Sequence, residues 1–175
     1  MLRPLIEEDA KLMLEWMHDP DINCWFQIDF SEYGEQQALD FIRKANETNG
    51  SRTQYHYAIT ETDGKYLGTV SLKNVDMVNR NAEYAICMRK YGMGKGLAFQ
   101  ATQDILKIAF EELKLNRVYL NVLSDNKKAI GLYERSKFRY EGEWKEHLFL
   151  NNRYCSLKWY GLQREEWLNG KDNAK

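Results

Sequence analysis

Tyr91-Gly92-Met93-Gly94-Lys95-Gly96-Leu97-Ala98 is a glycine-rich turn between two regular segments of the 175-residue sequence. The preceding segment, Ala82–Met88, has the pattern of a strand, and the apolar residues that follow the turn recur at helical spacing. Such a turn presents backbone N–H groups beside the positive end of a helix dipole, which favours a phosphate or pyrophosphate ligand. The spacing matches neither the GxGxxG dinucleotide pattern nor the GxxxxGK[ST] P-loop.

The rest of the chain predicts the element order βααβββαβαββ. Helices are expected from Glu8 to His18, from Glu35 to Asn49 with Asn49-Gly50 as its end, after the glycine-rich turn, and from Asn126 to about Lys137. Strands are expected over Met1–Leu5, Tyr55–Thr60, Tyr66–Lys73, Ala82–Met88, Arg117–Leu123, Phe138–Phe149 and Arg153–Leu162. Three meander strands followed by strand–helix–strand units predict an α/β or α+β domain, with a mixed central sheet flanked by helices.

The composition argues against several classes of protein. Lys and Arg number 25 against 26 Asp and Glu, a net charge of -1, so no basic field favours nucleic acid or anionic lipid. Neither a long apolar run nor an apolar signal core is present, so we expect no membrane association and no export signal. Cys24, Cys87 and Cys155 lack a CxxC pair, which is typical of buried thiols in a reducing cytoplasm. One domain is predicted over residues 1–168, with a frayed tail over 169–175.

Two motifs resemble those of the GNAT superfamily of N-acetyltransferases. Met93-Gly94-Lys95-Gly96-Leu97-Ala98 is similar to the family's acetyl-CoA loop, [QR]xxGx[GA], with Met93 where the family usually has Gln or Arg. A second frame, Arg89 to Gly94, also matches, but the first leads directly into the helical stripe. Asn121, Asn126 and Tyr133 belong to a segment similar to the family's second signature. The resemblance extends from Leu2 to Leu168 and is closest to the branch of ribosomal-protein N-terminal, spermidine and nucleotide-linked amino-sugar acetyltransferases.

The resemblance implies an enzyme that moves an acetyl group from acetyl-CoA to a primary amine by direct attack on the thioester. Tyr133 would be the acid that protonates the departing thiolate, with a pKa of about 10 that is close to that of an alkyl thiol, although a core tyrosine is the ordinary alternative. The cofactor-binding residues that the resemblance implies are Ile86, Cys87, Met88, Met93, Gly94, Lys95, Gly96, Leu97, Ala98, Asn121, Asn126, Lys128 and Tyr133.

Glu83 is the candidate general base, because it is the one residue in its strand that is charged at neutral pH. The alternative is that Glu83 is a solvated carboxylate paired with Arg80. Glu143 and His147 are rival bases on the penultimate strand. The histidines and cysteines lack the spacing of metal ligands, so no metal site is predicted.

The acceptor is an amine that the sequence describes only in part. Asp29 and Glu32 are the two acids in Trp25–Tyr33, and Lys73 lies on a nearby strand, which favours an amino sugar or a peptide N-terminus over a polyamine. Five aromatic residues suit stacking on a ring, or alternatively belong to the core: Trp16, Trp25, Phe26, Phe30 and Tyr33. Two other functions stay open, a non-catalytic acyl-CoA sensor or partner-recruiting module and, less favoured, a phosphoryl-transfer enzyme. A homo-oligomer is compatible with the sequence.

Overall fold

Seven strands form a single sheet in the computed structural model, which describes residues 1–49, 51 and 53–172. They are β1 Leu2–Arg3, β2 Tyr55–Thr60, β3 Tyr66–Asp76, β4 Asn81–Met88, β5 Arg117–Leu123, β6 Arg139–Leu150 and β7 Arg153–Gln163. The order across the sheet is β1-β2-β3-β4-β5-β7-β6. β4 and β5 pair in parallel and the other neighbours pair antiparallel, which confirms the predicted mixed sheet.

The helices are α1 Asp9–Met17, α2 Pro20–Asn23, α3 Glu35–Thr48, α4 Leu97–Lys107, α5 Lys127–Arg135 and α6 Arg164–Asp172. A 3₁₀ turn at Lys90–Gly92 precedes α4, and a π-helical turn at Ile108–Glu112 extends it. The sequence did not predict α2 or α6, and α6 includes residues 169–172 of the predicted tail. Gly50, predicted at the end of α3, and the tail residues 173–175 lie outside the described residues. None of the described helices combines the length and apolar character needed to span a bilayer.

The first face of the sheet is covered by α1 and α3. Ala10, Met13 and Met17 recur at three- and four-residue steps on α1 and are buried against Ile42 of α3. Arg3 fixes the start of α1 through two hydrogen bonds of 2.7 Å to the buried carboxylate of Asp9. The aromatic loop between α2 and α3 is therefore held at this face of the sheet.

The second face is covered by α4 and α5. Ile105 of α4 and Tyr133 of α5 share one buried cluster with Tyr84 of β4 and Leu120 of β5. Phe110 in the π-helical turn contacts Trp167 of α6, with ring centroids 5.4 Å apart. The packing places α5 beside the parallel pair at the centre of the sheet.

Some element ends differ from the prediction for local reasons. β1 has two residues instead of five, because Pro4 has no N–H to continue the ladder. The predicted turn at Asn151-Asn152 is confirmed, with φ values of 50° and 59° that suit a two-residue hairpin. Cys155 is buried, whereas Cys24 and Cys87 are only partly buried, so the expectation of three buried thiols was wrong for two of them.

Candidate active site

The candidate site is a gap between β4 and β5. Their parallel pairing ends at Glu83 and Tyr119, and the following residues of the two strands are not paired with each other. On the β4 side, the N–H of Arg89 donates to the carbonyl of Leu67 at 2.8 Å. Because bonded and non-bonded pairs alternate along an antiparallel ladder, the backbone groups of 86 and 88 point away from β3, toward the gap.

The β5 side of the gap follows from the same alternation. The N–H of Arg164 donates to the carbonyl of Asn116, and that of Ser124 donates to the carbonyl of Ser156, each at 2.9 Å. The backbone groups of Asn121 and Leu123 therefore point away from β7 and into the gap. The two strands thus present free hydrogen-bonding groups toward each other across an open space, which suits an extended chain inserted between them.

The glycine-rich turn stands at the mouth of this gap. Gly94 and Gly96 have φ values of 77° and 78°, a left-handed conformation that glycine adopts without strain. Gly96 is the N-cap of α4, and the N–H groups of Leu97, Ala98 and Phe99 have no hydrogen-bond acceptor among the described residues. These amides and the positive end of the helix dipole form an anion site.

Arg89 anchors the start of the turn to α1. Its guanidinium, 5% exposed, donates to the Glu15 carboxylate at 2.6 and 2.9 Å and to the carbonyl of Tyr66 at 2.6 Å. The guanidinium of Arg89 therefore makes its hydrogen bonds within the protein. Gly92 packs so closely that a Cβ there would lie 2.8 Å from Cε of Met88.

Two other side chains of the turn point in different directions. Lys95 donates to Glu61 at 2.9 Å and lies 3.9 Å from the ring centroid of Tyr91. The hydrogen bond from Lys95 to Glu61 raises the pKa of this lysine. Met93 is 40% exposed, and its thioether has no N–H group or positive charge to offer an anion, so the backbone amides are the donors of the anion site.

Tyr133 projects from α5 onto Tyr84 of β4, the strand that lines one side of the gap. The side chain is buried, with its ring 5.9 Å from that of Tyr84 and 6.2 Å from that of Phe138. Its phenol has no hydrogen-bond partner within the part of the chain that the structure describes. Burial, and to a smaller extent the neighbouring Cys87, raises the pKa of Tyr133. The phenol therefore loses its proton only at a higher pH than the expected pKa of about 10 implied. At neutral pH it is available as a hydrogen-bond donor.

The three candidate bases occupy different environments. Glu83 accepts from Lys73 and Asn74, each at 2.9 Å, so the alternative of a pair with Arg80 was wrong. The pair with Lys73 forms because β3 and β4 place the two residues directly opposite each other. Glu143 accepts from Ser124 at 2.6 Å, and His147 packs on Trp144 with ring centroids 4.6 Å apart.

The start of α5 lies near α2 and the glycine-rich turn. Asn126 is the N-cap of α5, as predicted, and its Oδ1 accepts from the N–H of Ala129 at 3.1 Å. Lys90 and, more weakly, Lys128 lower the pKa of the Asp21 carboxyl, which shows that both ammonium groups lie within electrostatic reach of α2. Lys128 is thus a cationic side chain near the mouth of the gap, whereas Lys90 is already paired with Asp21 and Asp19.

The aromatic loop does not form the predicted ring-binding pocket. Neighbouring rings of Trp16, Phe26, Phe30 and Tyr33 lie 5.1–5.5 Å apart, and the indole N–H of Trp16 donates to the hydroxyl of Tyr66 at 3.1 Å. These rings are packed on one another as core, which was the alternative interpretation. Trp25 is the exception, at 37% exposed.

A different aromatic surface lies beside the gap, and sequence reasoning missed it. We define the aromatic face as Tyr119, Trp144, His147 and Trp159. Its ring contacts run from Tyr119 to Trp159 at 6.3 Å, from Trp159 to Trp144 at 4.6 Å and from Trp144 to His147 at 4.6 Å. The alternation along β6 and β7 indicates which residues share a face of each strand. The strand order, which the sequence does not indicate, is what brings these rings together.

Comparison with known proteins gives concordant findings. A family model described as "Acetyltransferase (GNAT) domain" matches residues 1–139. The Bacillus subtilis protein YdaF, provisionally named a ribosomal N-acetyltransferase, is 35% identical over 77% of this chain and 71% of its own length. Spermidine N(1)-acetyltransferase of Escherichia coli K12 is 32% identical over 87% of this chain and 80% of its own length.

A solved structure has the same fold. The crystal structure of spermidine N-acetyltransferase from Vibrio cholerae in complex with CoA and spermine matches with a TM-score of 0.84 at 26% identity, covering 97% of this chain and 98% of that one. A second structure of the Vibrio cholerae enzyme, described as dodecameric, matches with a TM-score of 0.77 at 26% identity over 97% and 96% of the two chains.

Proposed function

The chain belongs to the GNAT family of N-acetyltransferases and uses acetyl-CoA, and from this premise we propose that it acetylates one primary amine on an amino sugar or a peptide N-terminus. The observation that carries the proposal is the divergence of β4 and β5 beyond Glu83 and Tyr119, with Tyr133 of α5 packed against Tyr84 of β4.

In this proposal the cofactor lies along the gap. The amides at the start of α4, from Gly96 to Phe99, bind the pyrophosphate, because they have no acceptor within the described chain. The pantetheine arm pairs as an added strand with the backbone groups of Ile86 and Met88 on one side. Asn121 lines the opposite side, and Lys128 approaches the phosphates from α5.

The chemistry needs a nucleophile, a proton donor and a proton acceptor. The neutral amine attacks the thioester carbon, a tetrahedral intermediate forms, and the C–S bond breaks to release a thiolate. Tyr133 donates a hydrogen bond to the sulfur and then its proton; burial keeps the phenol protonated at neutral pH and, by raising its pKa, also makes it a weaker acid than a free phenol. A backbone N–H in the segment 86–88 stabilises the oxyanion.

Glu83 is the proposed acceptor of the amine proton. It stands at the point where β4 and β5 separate, and Lys73 and Asn74 hold its carboxylate. Because both carboxylate oxygens already accept hydrogen bonds, we propose that the proton reaches Glu83 through a water. His147 is the rival base on the same face, whereas Glu143 points toward the opposite face, where α5 begins.

The acceptor carries a single charge in this proposal. Acids near the mouth already have partners: Glu15 pairs with Arg89, Asp21 with Lys90 and Glu83 with Lys73. Asp29 accepts from Asn23 and from the N–H of Ser31. Glu32 is exposed and has no ion-pair partner among the described residues, so a polyamine, which carries several charges, would leave water with a single free carboxylate of this loop to replace its hydration, which is unfavourable. The relatives named for spermidine make this the point that most needs a test.

The test is a panel assay of thiol release from acetyl-CoA. Spermidine, a 4-amino-sugar nucleotide and an N-terminal peptide are compared by kcat/KM at one ionic strength. We expect the sugar nucleotide or the peptide to exceed spermidine by at least about tenfold, which corresponds to about 1.4 kcal/mol. Spermidine as the best of the three would overturn the acceptor assignment, and no acetylated product from any of them would overturn the proposed acceptor class.

We also propose that the chain forms a homo-oligomer, which the dodecameric Vibrio cholerae structure supports. Sedimentation velocity over a range of protein concentrations tests this.

A further inference from the structure

The aromatic face lies on the same side of the sheet as Glu83. Glu83 is opposite Tyr119 in the parallel pair, and Asn121, two residues further along β5, is opposite Trp159 of β7. Side chains two residues apart on a strand share a face, so Tyr119 and Trp159 both lie beside the gap. Burial and the charge of Glu83, its partner in the parallel pair, raise the pKa of Tyr119.

Trp144 and His147 extend the surface away from the gap. The pairing of β6 with β7 is irregular between Trp144 and Leu148, and an irregularity of this kind redirects side chains. Trp144 is 49% exposed although it lies against Trp159, so its outer surface is open to a ligand.

The indole N–H of Trp159 is the feature that indicates a ligand. Its indole Nε1 is buried and has no hydrogen-bond partner among the described residues. Buried polar atoms nearly always have a partner, and an unpaired one costs stability. An indole N–H can only donate, so the missing partner must be an acceptor atom.

We propose that the aromatic face is the acceptor-binding surface, and that Trp159 Nε1 donates a hydrogen bond to an oxygen of the acceptor. The acceptor class is a primary amine attached to a flat or ring-shaped group that carries an oxygen, such as a sugar hydroxyl or a peptide carbonyl. Because Nε1 is buried and Trp144 packs on Trp159, this binding requires the exposed Trp144 ring to move away from Trp159; the ring or amide plane of the acceptor then stacks on Trp144 while its amine reaches the gap near Glu83. The inference rests on the proposed acetyl transfer and adds the residues that select the acceptor.

A polymethylene amine lacks the required oxygen. Aromatic rings also attract ammonium groups, so spermidine has some affinity for such a surface. That attraction leaves the Trp159 N–H unpaired, because a cation provides no acceptor atom. The state of the N–H therefore distinguishes the two kinds of ligand.

The first experiment observes the indole directly. The Trp159 indole N–H signal is assigned by its loss in Trp159→Phe and is then followed in the CoA-bound wild-type protein by ¹H–¹⁵N NMR. The sugar nucleotide, the peptide and spermidine are added separately. A saturable downfield shift with the sugar nucleotide or the peptide, and none with spermidine, is expected. No shift with any of the three, or an equal shift with spermidine, would overturn the proposal.

The second experiment uses kinetics with matched variants. Trp159→Phe keeps a ring and removes the donor, and we expect it to raise the acceptor KM by at least about fivefold, with kcat and CoA affinity nearly unchanged. Phe149→Ala removes an exposed aromatic ring that contacts Tyr154 instead of the aromatic face, and it serves as the control. An unchanged acceptor KM in an active Trp159→Phe enzyme would overturn this inference and leave acetyl transfer itself intact.

Discussion

Tyr133 is the residue in which burial and proposed chemistry are most closely connected. Its pKa is raised because the phenol is enclosed by apolar and aromatic groups, which makes ionisation unfavourable. We expect Tyr133→Phe to keep the packing with Tyr84 and Phe138 and to lower kcat by about 100-fold or more, since only the donor is lost. Steady-state rates and CoA calorimetry separate the two effects. A loss of less than threefold, with the acceptor that supports the best rate, would make Tyr133 a packing residue.

The buried environment of His56 predicts how the stability of the protein depends on pH. The ring is buried, with Nδ1 2.8 Å from Oγ of Ser71 and Nε2 3.0 Å from Oε1 of Gln54. Burial and then the charge of Lys73 lower the pKa of His56 from 6.5 to about 4. The unfolded chain therefore takes up a proton in this window that the folded chain does not, so stability is lost as pH falls from about 6.5 to 4.

The slope attributable to His56 is at most about 1.4 kcal/mol per pH unit. Urea unfolding across this range should show a shallower slope for His56→Gln than for the wild type. His18→Gln, a change at an exposed histidine, is the matched control. Parallel pH dependences of the wild type and His56→Gln would contradict the assignment.

At the scale of elements, the turn before α4 combines two requirements for glycine. Gly92 is needed for close packing, whereas Gly94 and Gly96 are needed for their positive φ. We expect Gly96→Val to weaken CoA binding by more than about tenfold, because a β-branched residue cannot keep the N-cap conformation that aligns the amides. Gly64→Val changes a glycine with φ of 80° in the β2–β3 turn, which contacts the glycine-rich turn through Glu61 and Lys95 but contributes none of the amides at the start of α4, so it controls for backbone strain. Equal CoA affinity of the two folded variants in calorimetry would contradict the assignment.

Elements that depend on local pattern were predictable from the sequence, and relations between distant strands were not. The start of a helix after the glycine-rich turn and the Asn151-Asn152 turn follow from residue types with local physical reasons. The β4–β5 gap depends on how far two strands stay paired, which no periodicity reports. The aromatic loop was misjudged because Trp16 finds its partner Tyr66 at a separation of 50 residues. The aromatic face was missed since β7 and β6 meet β5 only through the strand order.

For the molecule as a whole, ligand binding depends more on where the charges lie than on the net charge, which is close to zero. Ion pairs join elements across the mouth of the gap: Lys90 of the turn with Asp21 of α2, and Arg89 with Glu15 of α1. These pairs hold the α1–α2 region against the glycine-rich turn and neutralise its acids. What remains for a ligand is the uncompensated positive potential at the start of α4.

This arrangement predicts different salt dependences for the two substrates. Acetyl-CoA carries several phosphate charges that meet exposed amides and lysines, so its KM should rise by at least about threefold between about 50 mM and about 500 mM NaCl. The KM of a singly charged acceptor on the aromatic face should change by less than about twofold, because stacking and a hydrogen bond to a neutral indole are not screened. Initial rates with each substrate varied in turn, at constant pH, provide both values. An acceptor KM that rises with salt as steeply as that of acetyl-CoA would show that free carboxylates attract the acceptor, and that the ion pairs at the mouth open when it binds.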